Sequence, residues 1–190
     1  MFDLDYRLDP AEHAARQEAV RGIPCPVRAM SISINGEITR ELADDICASL
    51  ENAPAVEEIT ASIDSEGGNF TAAFDLFVTM HHHPAGRKVA HILRAESAAL
   101  LVALGCDHRI ARSTAPILLH PVRHMDPGVI TARRAAELAD CLSWADRQFS
   151  EILAYRTGRP AELFLTEDER SASLDWCLKT GLIHGVAYHG

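Results

Sequence analysis

No stretch of this chain approaches the roughly 18 consecutive apolar residues that a membrane-spanning helix needs, so no membrane partner is expected. The opening residues, MFDLDYRLDPAEHAARQEAV, are acidic at their start and lack an apolar core, which argues against a secretory signal. A basic excess is missing too. Lys and Arg number 18 against 27 Asp and Glu, a formal net charge of -9, whereas nucleic-acid binders usually carry a basic stripe. No CxxC pair occurs, and the five cysteines (Cys25, Cys47, Cys106, Cys141, Cys177) are widely spaced and odd in number. They read most simply as reduced, mostly buried thiols in a cytoplasmic protein. Neither GxGxxG nor Walker spacing is present, which argues against a nucleotide loop at Gly67-Gly68. Internal repeats, low-complexity tracts and linkers are also lacking. With 190 residues, 47% of them hydrophobic, the chain is long enough for one well-buried domain and short for two. The expected organisation is an N-terminal arm over residues 1–24, ending in Gly22-Ile23-Pro24, and a single domain over 25–190.

What is present alternates between strand and helix signals. Val27 to Ile34 reads as a strand closed by the turn signal Asn35-Gly36. Thr39 then caps a helix bearing Leu42, Ala43, Ile46, Cys47 and Leu50 at helical spacing. Ile59, Ala61 and Ile63 alternate as a second strand, and Phe70, Ala73, Phe74 and Phe77 share a helix face behind Gly67-Gly68. Val89 to Leu93 form a third strand running into the apolar stretch Ala98 to Leu104, with short strands expected at His108 to Arg112 and Ile117 to Leu119. This rhythm predicts an α/β fold of βαβ units. From Thr131 to Arg156 there is no proline or glycine, and Leu138, Leu142, Ala145, Phe149, Ile152 and Leu153 keep a helical stripe. That helix is longer than one small domain needs, which suggests a partner surface and a homo-oligomer. Gly158 and Pro160 stop it. A short helix from Asp175 to Thr180 ends at Gly181.

Two polar residues sit where chemistry is easily placed. Ser97 lies between an apolar strand and an apolar helix, where free N–H groups favour an anion. A serine there is either an ordinary helix cap or a nucleophile. His120 ends the run Ile117-Leu118-Leu119, as a backbone-bonded histidine or as a base at the mouth of a sheet. Glycines closing the strand before Asn69 can turn their N–H groups outward. Nucleophile, base and oxyanion donors are the parts of acyl transfer. His81-His82-His83 diverge by about 100° per residue on a helix, and no Cys or carboxylate has ligand spacing, so they read as an exposed helix terminus and no metal is expected. No cofactor is expected. Trp144 and Phe149 read as packing or inter-subunit residues, and Glu96 either tunes His120 or faces solvent.

Five segments in order resemble the ClpP-like serine peptidases, the proteolytic subunit of the Clp protease: IDSEGG (Ile63 to Gly68), AES-AA (Ala95 to Ala99), ILLHP (Ile117 to Pro121), Thr157-Gly158 and TGLIHGV (Thr180 to Val186). The resemblance runs from about Met30 to Val186. It implies the ClpP/crotonase-like spiral of βαβ units with a long helix in the second half. It also implies Ser97 as nucleophile, His120 as general base, and the N–H groups of Gly68 and Ala98 as the oxyanion hole. Partners implied are peptide or unfolded-protein substrates, further copies of the chain in a ring, and an ATP-dependent unfoldase.

The departures concern the same residues. The family's glycine-led nucleophile turn reads Leu93-Arg94-Ala95-Glu96-Ser97 here, and its glycine-rich segment after the histidine reads Val122 to Gly128. The third triad member falls in a Glu-Arg-Asp stretch whose aspartate position holds Ser171; Asp168 or Glu169 substitutes through a shifted loop, or no acid is present. A serine protease without that acid can lose about 10⁴ in turnover. Two other functions are open: a crotonase-type acyl-CoA enzyme, suggested by Ala103 to Ala111, and a non-catalytic ring subunit that kept the fold.

Overall fold

Ile32, Ile34 and Ile38 face the core from strand β1 (Ala29–Ile38), while Ser31, Ser33 and Asn35 between them stay exposed. The same alternation buries Ile59, Ala61, Ile63 and Ser65 on strand β2 (Glu58–Gly68). The computed structural model describes residues 29–123 and 128–188; the expected arm, Cys25 and residues 124–127 of the segment after His120 lie outside them. Helix α1 (Arg40–Glu51) starts at Thr39, whose hydroxyl accepts the Leu42 N–H at 3.2 Å. Helix α2 (Phe70–His82) starts at Asn69, whose side chain accepts the Ala72 N–H at 3.0 Å. Strand β3 (Arg87–Glu96) leads to helix α3 (Ala99–Leu104), in which every side chain is at most 1% exposed. A helix apolar all round belongs inside, and α3 packs against α2, β2 and β3.

Strands β4 (His108–Arg112), β5 (Ile117–Leu119), β6 (Arg170–Ser171) and β7 (Gly185–Ala187) complete a seven-stranded sheet. Its main path runs β1-β2-β3-β4-β7, with every pair parallel. Strand β3 changes partner along its length. Val89 to Ile92 pair with β4, whereas Ala95 and Glu96 pair with β5, which in turn pairs antiparallel with β6. The sheet therefore forks at the C-terminal end of β3. Such a break in strand order opens a crevice beyond the carboxyl ends of parallel strands.

Two expectations need correction. Asn35-Gly36 does not end the first strand, which continues to the fully buried Ile38 across a register shift between Asn35 and Glu37. Gly36, at φ 74, supplies a bulge rather than a reversal, because burying Ile38 draws the strand onward. The three histidines are not an exposed terminus either. His81 stacks on Phe77 with ring centroids 5.5 Å apart, His82 Nδ1 donates to Val78 O at 2.8 Å, and His83 is buried. His83 Nδ1 accepts the Ala85 N–H at 3.1 Å, so this nitrogen terminates the chain reversal into β3.

Helix α4 (Ala132–Thr157) is 26 residues long and ends at Gly158 in the left-handed conformation, φ 69. Its burial is one-sided along its length: Ala145, Phe149, Ile152 and Leu153 join the core, but residues 131–137 are all exposed. Phe149 meets Phe70 edge-on at 6.4 Å, and Trp144 is half-exposed. Helix α5 (Leu174–Thr180) closes the described chain before β7. Arg109 knits these late elements together from inside the core. It is 1% exposed and donates to the carbonyls of Leu182 (2.8 Å), Cys106 (2.9 Å) and Gly181 (2.9 Å). Burial lowers its pKa to about 10, which still leaves it charged at neutral pH.

Candidate active site

The proposed nucleophile stands at the fork. Ser97 directly follows β3 and is the one non-glycine residue with positive φ, 54°, among the described residues. A serine in that region is strained, and it is held there from two sides. Its N–H donates to Leu118 O on β5 at 2.8 Å, and its C=O accepts the Leu100 N–H at 3.1 Å as α3 begins. The side chain is thereby thrust out of a sharp strand-to-helix turn, the geometry a nucleophilic serine uses in other acyl-transfer folds. Ala98 is the N-cap of α3, and its N–H has no hydrogen-bond acceptor among the described residues.

The glycine pair reaches Ser97 from β2. Gly67 has φ 100 and Gly68 φ 141, both closed to ordinary side chains. A Cβ on Gly67 would lie 2.8 Å from Glu96 O, 2.9 Å from the Ser97 Cβ and 3.1 Å from the Ala98 nitrogen. A Cβ on Gly68 would strike Ile38 O at 2.6 Å. The two N–H groups go to different places. Gly67 N–H donates to the buried Ser65 Oγ at 3.0 Å. Asn69 N–H donates to Ile38 O at 2.8 Å, so Ile38, the register partner of Gly68, bonds the residues flanking it. In a parallel ladder this leaves the Gly68 N–H out of the bonds to β1. The role of Gly67 as the surface on which Ser97 rests was not legible beforehand; only its close approach reveals it.

His120 follows β5 directly, two residues beyond the carbonyl that holds Ser97. It is half-buried, and its Nδ1 lies 2.7 Å from Pro121 O. A carbonyl only accepts, so Nδ1 carries a proton, and in the neutral imidazole the lone pair is then on Nε2, the tautomer a general base toward serine requires. Among the described residues no hydrogen bond joins His120 to Ser97, nor to Asp168, Glu169 or Ser171. Glu169 is instead paired with Arg123 at 3.2 Å, and Ser171 lies on β6 opposite Leu118. The Val122 N–H, on the far side of the Pro121–Val122 peptide, donates to Asp146 Oδ1 on α4 at 2.6 Å. Asp146 carries no sequence signal, since it lies 24 residues away inside a helix.

The family model for the Clp protease matches residues 21–189. The chain belongs to the Clp protease family. Among solved structures it is similar to a point mutant of ClpP1 from Listeria monocytogenes, with a TM-score of 0.69 and 17% identity, covering 92% of this chain and 96% of that one. At that identity the likeness speaks for the fold, a ClpP-like arrangement of parallel strands and helices. Arg94 marks the rim of the site, spanning Asp64 at 2.9 Å and Glu66 at 3.0 Å across the ends of β2 and β3. Glu96 is half-buried beside Ser97, and its carboxylate has no hydrogen-bonded or ion-paired partner among the described residues. No three His, Cys, Asp or Glu residues among those described are arranged to hold a metal ion, and no described helix is long and apolar enough to cross a membrane.

Proposed function

We propose that this chain is a serine endopeptidase of the Clp type, hydrolysing peptide or unfolded-protein substrates inside an oligomeric chamber. The observation that carries the reading is the strained turn at Ser97, pinned between β5 and the glycine pair. Ser97 Oγ attacks the scissile carbonyl while His120 Nε2 takes its proton. The Gly68 and Ala98 N–H groups receive the oxyanion, His120 returns the proton to the leaving amine, and water releases the acyl-enzyme. Ser97 and His120 are unbonded in the free protein, and catalytic hydrogen bonds commonly tighten only when substrate arrives. In the role of the third triad member, the Pro121 carbonyl fixes the tautomer in place of Asp168, Glu169 or Ser171. A neutral acceptor stabilises an imidazolium about half as well as a carboxylate, so the triad works below full strength.

The bare, outward half of α4, with Val129 and Ile130 exposed before it, supports assembly with further copies of the chain. An ATP-dependent unfoldase is the corresponding partner. A second reading, a non-catalytic ring subunit, draws on the lack of a carboxylate hydrogen-bonded to His120 among the described residues. One experiment separates the two. A serine-reactive fluorophosphonate should label the wild-type protein but not Ser97→Ala, which should also lose peptide hydrolysis while assembling normally. Hydrolysis surviving in a clean Ser97→Ala preparation sinks the peptidase reading, and an unlabelled wild-type protein favours the silent subunit.

A further inference from the structure

We infer that Asp146 is a positioning residue for His120, lending its charge to the imidazole through the Pro121–Val122 peptide group. The inference rests on the reading of His120 as general base. One amide joins the two contacts: its carbonyl oxygen lies 2.7 Å from His120 Nδ1, and its N–H donates to Asp146 Oδ1 at 2.6 Å. An anion bonded to the N–H end of an amide pushes electron density through the amide toward the oxygen. The carbonyl becomes a stronger acceptor, and chains of this kind strengthen each member by about 10–30%. When Nε2 takes the serine proton, the positive charge is shared with the Nδ1–H that this carbonyl holds. Asp146 thus supplies, one peptide removed, part of what a directly bonded carboxylate supplies in a complete triad.

Among the described residues, the other charged groups on the elements next to His120 are already engaged or are not bonded to it. Arg123, on the same segment, is paired with Glu169 at 3.2 Å. Arg170 on β6 lies over the Trp176 ring at 4.1 Å and donates to Leu163 O. At the end of β3, Arg94 is held by Asp64 and Glu66, and Glu96 makes no hydrogen bond to His120. Asp168 is likewise unbonded to His120 among the described residues. Asp146 alone of the described carboxylates is hydrogen-bonded to the peptide that holds the imidazole. It is also firmly placed, because its neighbour Ala145 and Phe149 one turn on are core residues.

Asp146 also fixes backbone, so the test must separate charge from structure. Asp146→Asn keeps an oxygen able to accept the Val122 N–H but removes the charge; Asp146→Ala removes both. Two measurements apply: the kcat and KM of peptide hydrolysis, and the low-field proton resonance of His120 Nδ1–H recorded in the Ser97→Ala background. Asp146→Asn is expected to lower kcat about three- to tenfold at unchanged KM, the scale of a modest weakening of one part-buried hydrogen bond. The Nδ1 proton should move upfield, as it does when its acceptor weakens. An Asp146→Asn protein matching the wild type in the resonance overturns the inference, whatever Asp146→Ala does, because a purely structural role survives the amide. The resonance needs no turnover. If it moves while the wild type shows no Ser97-dependent hydrolysis, the relay stands and the peptidase reading fails.

Discussion

Gly67→Ala tests most directly whether the serine turn rests on the glycine pair. The new methyl would enter at 2.8 Å from Glu96 O, 2.9 Å from the Ser97 Cβ and 3.1 Å from the Ala98 nitrogen. Two of these are backbone atoms, and the third belongs to the residue whose position is at issue, so none moves aside as a side-chain tip would. Overpacking of this kind costs about 1–3 kcal/mol. The φ of 100 adds a further 1–3 kcal/mol or so, because alanine does not tolerate that conformation. A domain of this size loses roughly 2–4 °C per kcal/mol, which converts about 2–6 kcal/mol into a fall of roughly 4–24 °C in Tm. Gly158→Ala is the control. Gly158 has φ 69 with nothing within 4 Å of a built Cβ, so only the backbone penalty of about 1–2 kcal/mol applies. Thermal unfolding of both variants gives the stabilities, and fluorophosphonate labelling at a temperature where both remain folded gives the site. Labelling should be lost in Gly67→Ala and retained in Gly158→Ala. A Gly67→Ala protein with wild-type Tm and wild-type labelling would refute the packing argument outright.

Further outcomes follow from the buried polar groups. Burial drives the His81 pKa down to about 4 from its ordinary 6.5. Below pH 6.5 the unfolded chain therefore takes up a proton the folded one resists. Stability present above pH 6.5 is lost as pH falls toward 4, by about 1–2 kcal/mol once partial exposure is allowed for. His81→Phe keeps the stacking on Phe77 and should flatten that slope in urea unfolding; an unchanged slope would assign it to other groups, His83 among them, which burial also lowers. Arg109→Met should destabilise by about 2–4 kcal/mol in the same assay, since the Leu182 and Gly181 carbonyls lose a donor and Cys106 O keeps only Arg156. A loss under 1 kcal/mol would mean that water replaces the guanidinium. Light scattering should find a multimer, and a species near 20.8 kDa at micromolar concentration would contradict the assembly reading.

Sequence alone determined the elements whose cause is local. The alternation of Ile59, Ala61 and Ile63, the Thr39 cap and the Gly158 stop each act within a turn or two, and each is found as expected. It also ordered the five segments that carry the family resemblance, which placed Ser97, His120, Gly68 and Ala98 at strand ends. What it could not supply were decisions made between distant strands. Asn35-Gly36 reads as a turn until the burial of Ile38 against β2 shows why the strand runs on. The histidines read as exposed until Phe77, Tyr155 and Ala53 close around them. The histidine's acceptor is a backbone carbonyl, and the carboxylate behind that carbonyl sits on a helix 24 residues beyond Val122. Hydrogen bonds to backbone leave no side-chain signature to read in a sequence, so the tertiary structure alone decided what holds His120.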